Sequence, residues 1–190
     1  YMSYDQEKQD KQPTTITKST DEHQRAMFIL EDGTKIWLHE NSSIAYLDQL
    51  EHDGIRQVQL TGEAYFNVTK NPNVPFIVKT GNISTKVLGT TFNVRAFPQD
   101  DVEVTVETGK VLVENQHNEI SLRPNEQAVV SRKTNDIMKN NINSAYVTVW
   151  KSPDLEFDMI PLKEAFFMME RYYNVKIITD SKSDLSCTVR

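Results

Sequence analysis

Between Met27 and Trp150 the chain is built from short apolar runs cut by turn residues, and this pattern limits the fold more than any single motif does. Apolar and polar residues alternate within the runs, the period of strands that bury one face. In "MFILEDGTKIWLH" the pair Asp32-Gly33 separates two such runs and signals a hairpin. Ile36 and Leu38 then share one face, with Lys35, Trp37 and His39 on the other. "RQVQLTGEAYFNV" places Val58, Leu60, Ala64, Phe66 and Val68 in alternate positions. "PFIVKT", "TKVLGTTFNVRAF", "VEVTVETGKVLVEN", "EISLRPNEQAVVS" and "AYVTVW" continue the series. Strands at this spacing predict an all-β domain over 26–150.

Inside that domain one unit occurs twice. Gly62 opens a run ending Phe66-Asn67-Val68, and Gly89 opens one ending Phe92-Asn93-Val94. Gly109 interrupts a third run in a similar way. Glycine within a strand pattern marks a bulge or a close approach of two backbones. The copies are unequally spaced, which excludes a regular solenoid. The expected architecture is an irregular β-roll or sandwich of stacked hairpins, with Gly62, Phe66, Gly89, Phe92 and Gly109 as structural markers.

The flanks differ. Residues 1–25 are polar and mixed in charge, and read as a linker. Residues 151–190 read as a truncated strand-helix-strand module. Pro161 suits a first helical turn, and Leu162, Ala165, Phe166, Met169 and Tyr173 fall at helical spacing. Asn174 is an expected left-handed stop, and Val175, Ile177 and Ile178 supply an expected strand.

A net charge of −6 and a pI near 5.3 argue against nucleic acid as a partner. Cys187 is the single cysteine, so no intrachain disulfide framework exists. No apolar run is long enough to span a bilayer, and the chain starts with Tyr, as expected of a piece of a longer protein whose anchor lies elsewhere. His23, His39, His52 and His117 lack metal-ligand spacing, so no metal site and no cofactor are expected. His39 is expected on a polar strand face. Glu63 is the most notable carboxylate, because it follows the kink at Gly62; Glu103 or Glu107 would be its partner in acid/base work. No catalytic constellation is visible, and the expectation is a protein that is not an enzyme.

The motifs do resemble a family. "LEDGTKIWLHENSSIAYLDQL", "RQVQLTGEAYFNVTKNPNVPFIVKTGNISTKVLGTTFNVRAF", "VEVTVETGKVLVEN" and "LRPNEQAVV" occur in the order seen in the periplasmic region of FecR-type anti-sigma factors. "LEFDMIPLKEAFFMMERYYNVKI" is similar to the start of the secretin/TonB short N-terminal module that follows in Bacteroidetes members. The resemblance implies a periplasmic sensor on the inner membrane, anchored by a helix outside this fragment. It would take its signal from the signalling domain of a TonB-dependent outer-membrane transducer. An absent cytoplasmic segment would hold an extracytoplasmic-function sigma factor.

Two positions depart from that family. Phe167 and Met168 stand where polar residues are usual, off the main helical stripe. Either the β-domain or the rest of the module covers them, or they form a docking patch for the transducer. Val175 and Ile177 would add an open strand edge beside that patch. The alternative from a different class is a glycan-binding β-domain using Trp37, Tyr46 or Tyr65 as a stacking platform.

Overall fold

The computed structural model describes residues 13–180 and 187–190, so residues 1–12 of the expected linker lie outside it. The strands are β1 Thr15–Ser19, β2 Ala26–Ile29, β3 Lys35–Leu38, β4 Ser43–His52, β5 Ile55–Asn67, β6 Phe76–Thr80 and β7 Ile83–Val87. They continue with β8 Thr91–Ala96, β9 Val102–Thr108, β10 Val111–Glu114, β11 Glu119–Leu122, β12 Glu126–Val130 and β13 Ile137–Asn141. Helix α1 (Ser144–Val147) and a 3-10 turn (Val149–Lys151) follow. Last come β14 (Ile160–Pro161), α2 (Leu162–Tyr173) and β15 (Thr188–Val189).

Strand β5 organises the molecule. Its first half pairs with β4 and, in parallel, with β6. Its second half, from Gly62 onward, pairs with β3 and β8. One layer therefore runs β1-β4-β5-β6-β7-β10-β11 and the other β2-β3-β5-β8-β9-β12-β13, with β5 common to both. Gly62 sits at the change of layer with φ +93°, and a Cβ there would lie 2.7 Å from the Ser42 Cα. Only glycine combines that backbone with that approach.

The second glycine of the repeat does the same work. The chain passes from β7 in one layer to β8 in the other through Gly89, at φ +148°, where a Cβ would meet the Lys70 Cα at 2.5 Å. It returns to the first layer at Gly109, between β9 and β10. The repeat is thus a device for changing layers, which explains both the likeness of its copies and their unequal spacing. The aromatic residue that ends each copy enters the shared core. Phe66 stacks on Phe92 with ring centroids 5.1 Å apart and meets Phe76 of the opposite layer at 6.2 Å. All three are fully buried, and each such ring contributes roughly 1.5–3 kcal/mol.

Turn chemistry follows the sequence with one exchange. Asp53 and Gly54, at φ +52° and +74°, form the two-residue hairpin joining β4 and β5. At Asp32-Gly33 only Gly33 is left-handed, and its N–H donates to the Leu30 carbonyl at 3.0 Å, so that hairpin is closed by a longer loop.

Three stretches differ from expectation. Thr15–Ser19, within the expected linker, is a strand paired along its length with β4, because the outer flank of β4 offers it a free ladder. "AYVTVW" is helical rather than extended. Asn143 caps it by accepting the Ala145 N–H at 3.1 Å, and Asn125 accepts the Ser144 N–H at 3.2 Å and its hydroxyl at 2.9 Å. Burial of Val147, Val149 and Trp150 overrides their strand propensity. Val175, Ile177 and Ile178 form no strand; the Ile177 N–H donates to Glu170 Oε1 at 2.7 Å, and β14 pairs instead with β15. Helix α2 begins at Leu162, with Pro161 as its extended N-cap and not in its first turn, and ends at Asn174 with φ +51° and ψ +45°, the left-handed stop its sequence predicts.

Candidate functional site

The outer face of the β3-β5-β8-β9 layer carries polar residues in alternate positions, as a solvent-facing sheet would. It does not face solvent. Helix α1, the 3-10 turn and α2 lie over it and bury what they cover. Register builds two rows beneath them. Glu63 stands opposite Arg95, and Arg95 opposite Glu103, while the His39 N–H extends the row by donating to the Glu63 carbonyl at 2.9 Å. In the next row Trp37, Tyr65, Asn93 and Thr105 are neighbours.

Glu63 is the centre of the cluster, only 1% exposed. Asn93 Nδ2 donates to its Oε1 at 2.9 Å, and Arg95 Nη1 to its Oε2 at 3.2 Å. The third donor is Arg171 of α2, which reaches across 108 residues of sequence to bond the same Oε1. The other Arg171 Nη lies 3.7 Å from Glu103 Oε2. Arg95 also binds Asp100 Oδ2 at 2.9 Å. Burial by itself would raise the pKa of Glu63, but Arg171, His39, Arg95 and the Asn93 hydrogen bond together hold it below the usual carboxylate range. Glu103 goes the other way: burial raises it, and the two arginines offset only part of that. Both Glu63 oxygens are committed to holding cations and an amide, so the arrangement acts as a latch that docks α2 onto the sheet.

A third arginine completes the latch. Arg25 donates to the Trp150 carbonyl and the Tyr172 carbonyl, each at 2.5 Å, and its guanidinium lies 5.0 Å from the Tyr172 ring centroid. Tyr172 is in the last turn of α2, where backbone carbonyls lack partners and a cation is favoured by about 0.3–1 kcal/mol. Between the arginines, His39 packs edge-on against Trp150 with centroids 4.6 Å apart. The two His39 ring nitrogens have no hydrogen-bond partner among the described residues, and burial lowers its pKa from 6.5.

The expected site residues are distributed as follows. Glu63 and Glu103 meet through Arg171, whereas Glu107 accepts the Tyr65 hydroxyl and stands apart. His39, expected on a polar face, is 1% exposed because Trp150 covers it. Met168 is buried with Ala165 in α2, which packs on α1 and the 3-10 turn, so it presents no open patch; Phe167 is half-buried. Val175 is 53% exposed and Ile177 half-buried, and neither lies on a strand edge. Trp37 and Tyr65 meet at 73°, and Tyr46 stacks on Phe28, so these aromatics form no flat shared platform. Cys187 is exposed, just before β15. Among the described residues no group of three or more His, Cys, Asp and Glu could hold a metal ion.

Arg171, Arg95, Asn93 and Arg25 were not singled out in the sequence. The alternation of opposite charges at outward positions was a signal, but it is readable only once β5, β8 and β9 are in register.

Comparison with known proteins agrees with this architecture. The FecR protein family model matches residues 16–112. A crystal structure at 1.65 Å of a protein assigned as an anti-sigma factor, from Parabacteroides distasonis ATCC 8503, superposes with a TM-score of 0.71. It has 33% identity, and the alignment covers 92% of this chain and 82% of that one. A second structure with the same description, at 2.50 Å, gives a TM-score of 0.72 and 33% identity, over 93% of this chain and 83% of that one. No curated protein matched the sequence. Sequence family, fold and identity agree, and the chain belongs to the FecR-type anti-sigma factor family.

Proposed function

We propose that this chain is the periplasmic sensor region of a membrane-anchored anti-sigma factor. It receives a signal from a TonB-dependent outer-membrane transducer and controls an extracytoplasmic-function sigma factor through a cytoplasmic segment outside the fragment. Family membership supports the regulatory role. The observation that carries the reading is the latch: a FecR-type β-domain grips a separate helical element through the pairs Arg171 makes with Glu63 and Glu103. Among the described residues no helix is long and apolar enough to cross a membrane, so the anchor is assigned to sequence beyond them.

The test is titration calorimetry between this chain and the purified signalling domain of the transducer encoded beside it, paired with a sigma-dependent reporter. Saturable binding, with reporter output altered when α2 is detached by Arg171→Ala, supports the proposal. Absence of binding together with an unchanged reporter refutes it.

A further inference from the structure

Beside β7 and β10 lies a groove of about 370 Å³, lined by no residue of the latch. Its floor is apolar: Val87, Leu112 and Leu88, the last 46% exposed. Its rim is three lysines from three separate segments. Lys70 comes from the loop after β5, Lys86 from β7 and Lys110 from the β9–β10 connection. All three are exposed, and none forms an ion pair or side-chain hydrogen bond among the described residues. No acidic residue lines the groove. The floor is held in place by the close approach of Gly89 to Lys70, part of the layer-changing device.

We propose that this groove is a docking site for an extended segment of a partner protein that presents apolar side chains flanked by Asp or Glu. The charge pattern selects that occupant. The chain carries 27 acidic against 21 basic residues, so an acidic segment is repelled by the protein as a whole and attracted by this rim. The three cations come from three separate segments of the chain. A single-headed anionic amphiphile brings one charge to three lysines, whereas a peptide with carboxylates on both sides of an apolar residue brings more than one and seats that residue on the floor. The floor then supplies affinity by burying that residue, and the rim supplies selectivity and approach rate. The inference does not depend on the transducer reading.

The test is panning a random peptide display library on this chain, with counter-selection on the triple variant Lys70→Glu, Lys86→Glu, Lys110→Glu. Affinities of the recovered peptides follow by fluorescence anisotropy. The expected peptides carry Leu, Ile, Phe or Met between Asp or Glu. They should bind the triple variant at least about tenfold more weakly, and lose affinity as salt rises. Leu88→Ser, which leaves the charges intact, should also weaken them while retaining the salt dependence. Matching thermal melts of all variants exclude misfolding as the cause. Recovery of no peptide, or of peptides that bind the triple variant equally well, overturns the proposal. It is also overturned if sedimentation shows a dimer of the chain that the triple variant abolishes, or if laurate alone fills the groove and no peptide does.

Discussion

Arg56 and Arg171 both pair with carboxylates, and the two pairs are built differently. Arg56, 2% exposed, lies within the β-domain. Its Nη1 binds Asp32 Oδ2 at 2.6 Å and the Thr69 carbonyl at 3.0 Å, while Nε and Nη2 bind the Val74 carbonyl at 3.1 and 2.9 Å. Every nitrogen has a partner, and each partner lies in a neighbouring loop. Arg171 reaches Glu63 and Glu103 from a separate element, and its Nε has no hydrogen-bond partner among the described residues. A buried charge is held well only when its remaining donors are satisfied. Arg56 therefore welds loops into one unit, whereas Arg171 joins a helix to the sheet in a seam with one donor left unpaired among the described residues.

The largest effect should come from the weld. Arg56→Ala strands Asp32 and the loop carbonyls, and should cost about 3–5 kcal/mol of global stability, read from denaturant midpoints at constant slope. A smaller loss would erase the contrast between the two sites. Gly62→Ala affects both at once, since it forces a Cβ into Ser42 and shifts the neighbouring Glu63. A cost of about 2–4 kcal/mol is expected from left-handed strain plus overpacking, with α2 loosened in the same transition. Independent melting of α2 in that variant would show that the kink does not position the latch.

Arg171→Ala should release α2 at a cost of about 2–3 kcal/mol while Arg95 and Asn93 go on holding Glu63. Hydrogen exchange should then rise in 162–173 and stay slow in β5 and β8; equal acceleration in both would make the seam and the weld one cooperative unit.

The smallest effect is that of pH. His39 faces Glu63, Glu40, Arg25 and Arg171, and burial lowers its pKa. The unfolded chain binds a proton below 6.5 before the folded chain does, so stability falls as pH drops under that value. Glu63, with its depressed pKa, adds to this loss below 4.5. Glu103, raised by burial, opposes both, because the folded state takes up its proton first as pH falls. Exchange in α2 should therefore speed up on acidification, and more steeply in Glu103→Gln. An unchanged slope in that variant would remove Glu103 from the seam.

The β-domain was legible because its signals are local. Alternation at 56–68 and glycines before Phe66 and Phe92 each state a backbone need that neighbours in sequence reveal. The site was legible in its carboxylates and not in the arginines that join them. Glu63 stood out through Gly62 and Glu103 as its expected partner, but nothing local tells which side of α2 meets the sheet, so Arg171 gave no signal. Polar residues at outward strand positions read as exposed for the same reason, and His39 was misplaced with them.

By itself, the sequence determined that the chain is mainly β, where it turns, how α2 ends and to which family it is akin, since periodicity and backbone freedom are written residue by residue. The tertiary structure decided that the glycine repeat carries the chain between layers and that β1 and the 145–150 stretch take the forms they do. It also turned a polar strand face into a buried latch. These outcomes depend on which surfaces meet, and burial converts an ordinary Glu, Arg or His into a paired charge only when distant segments close over it.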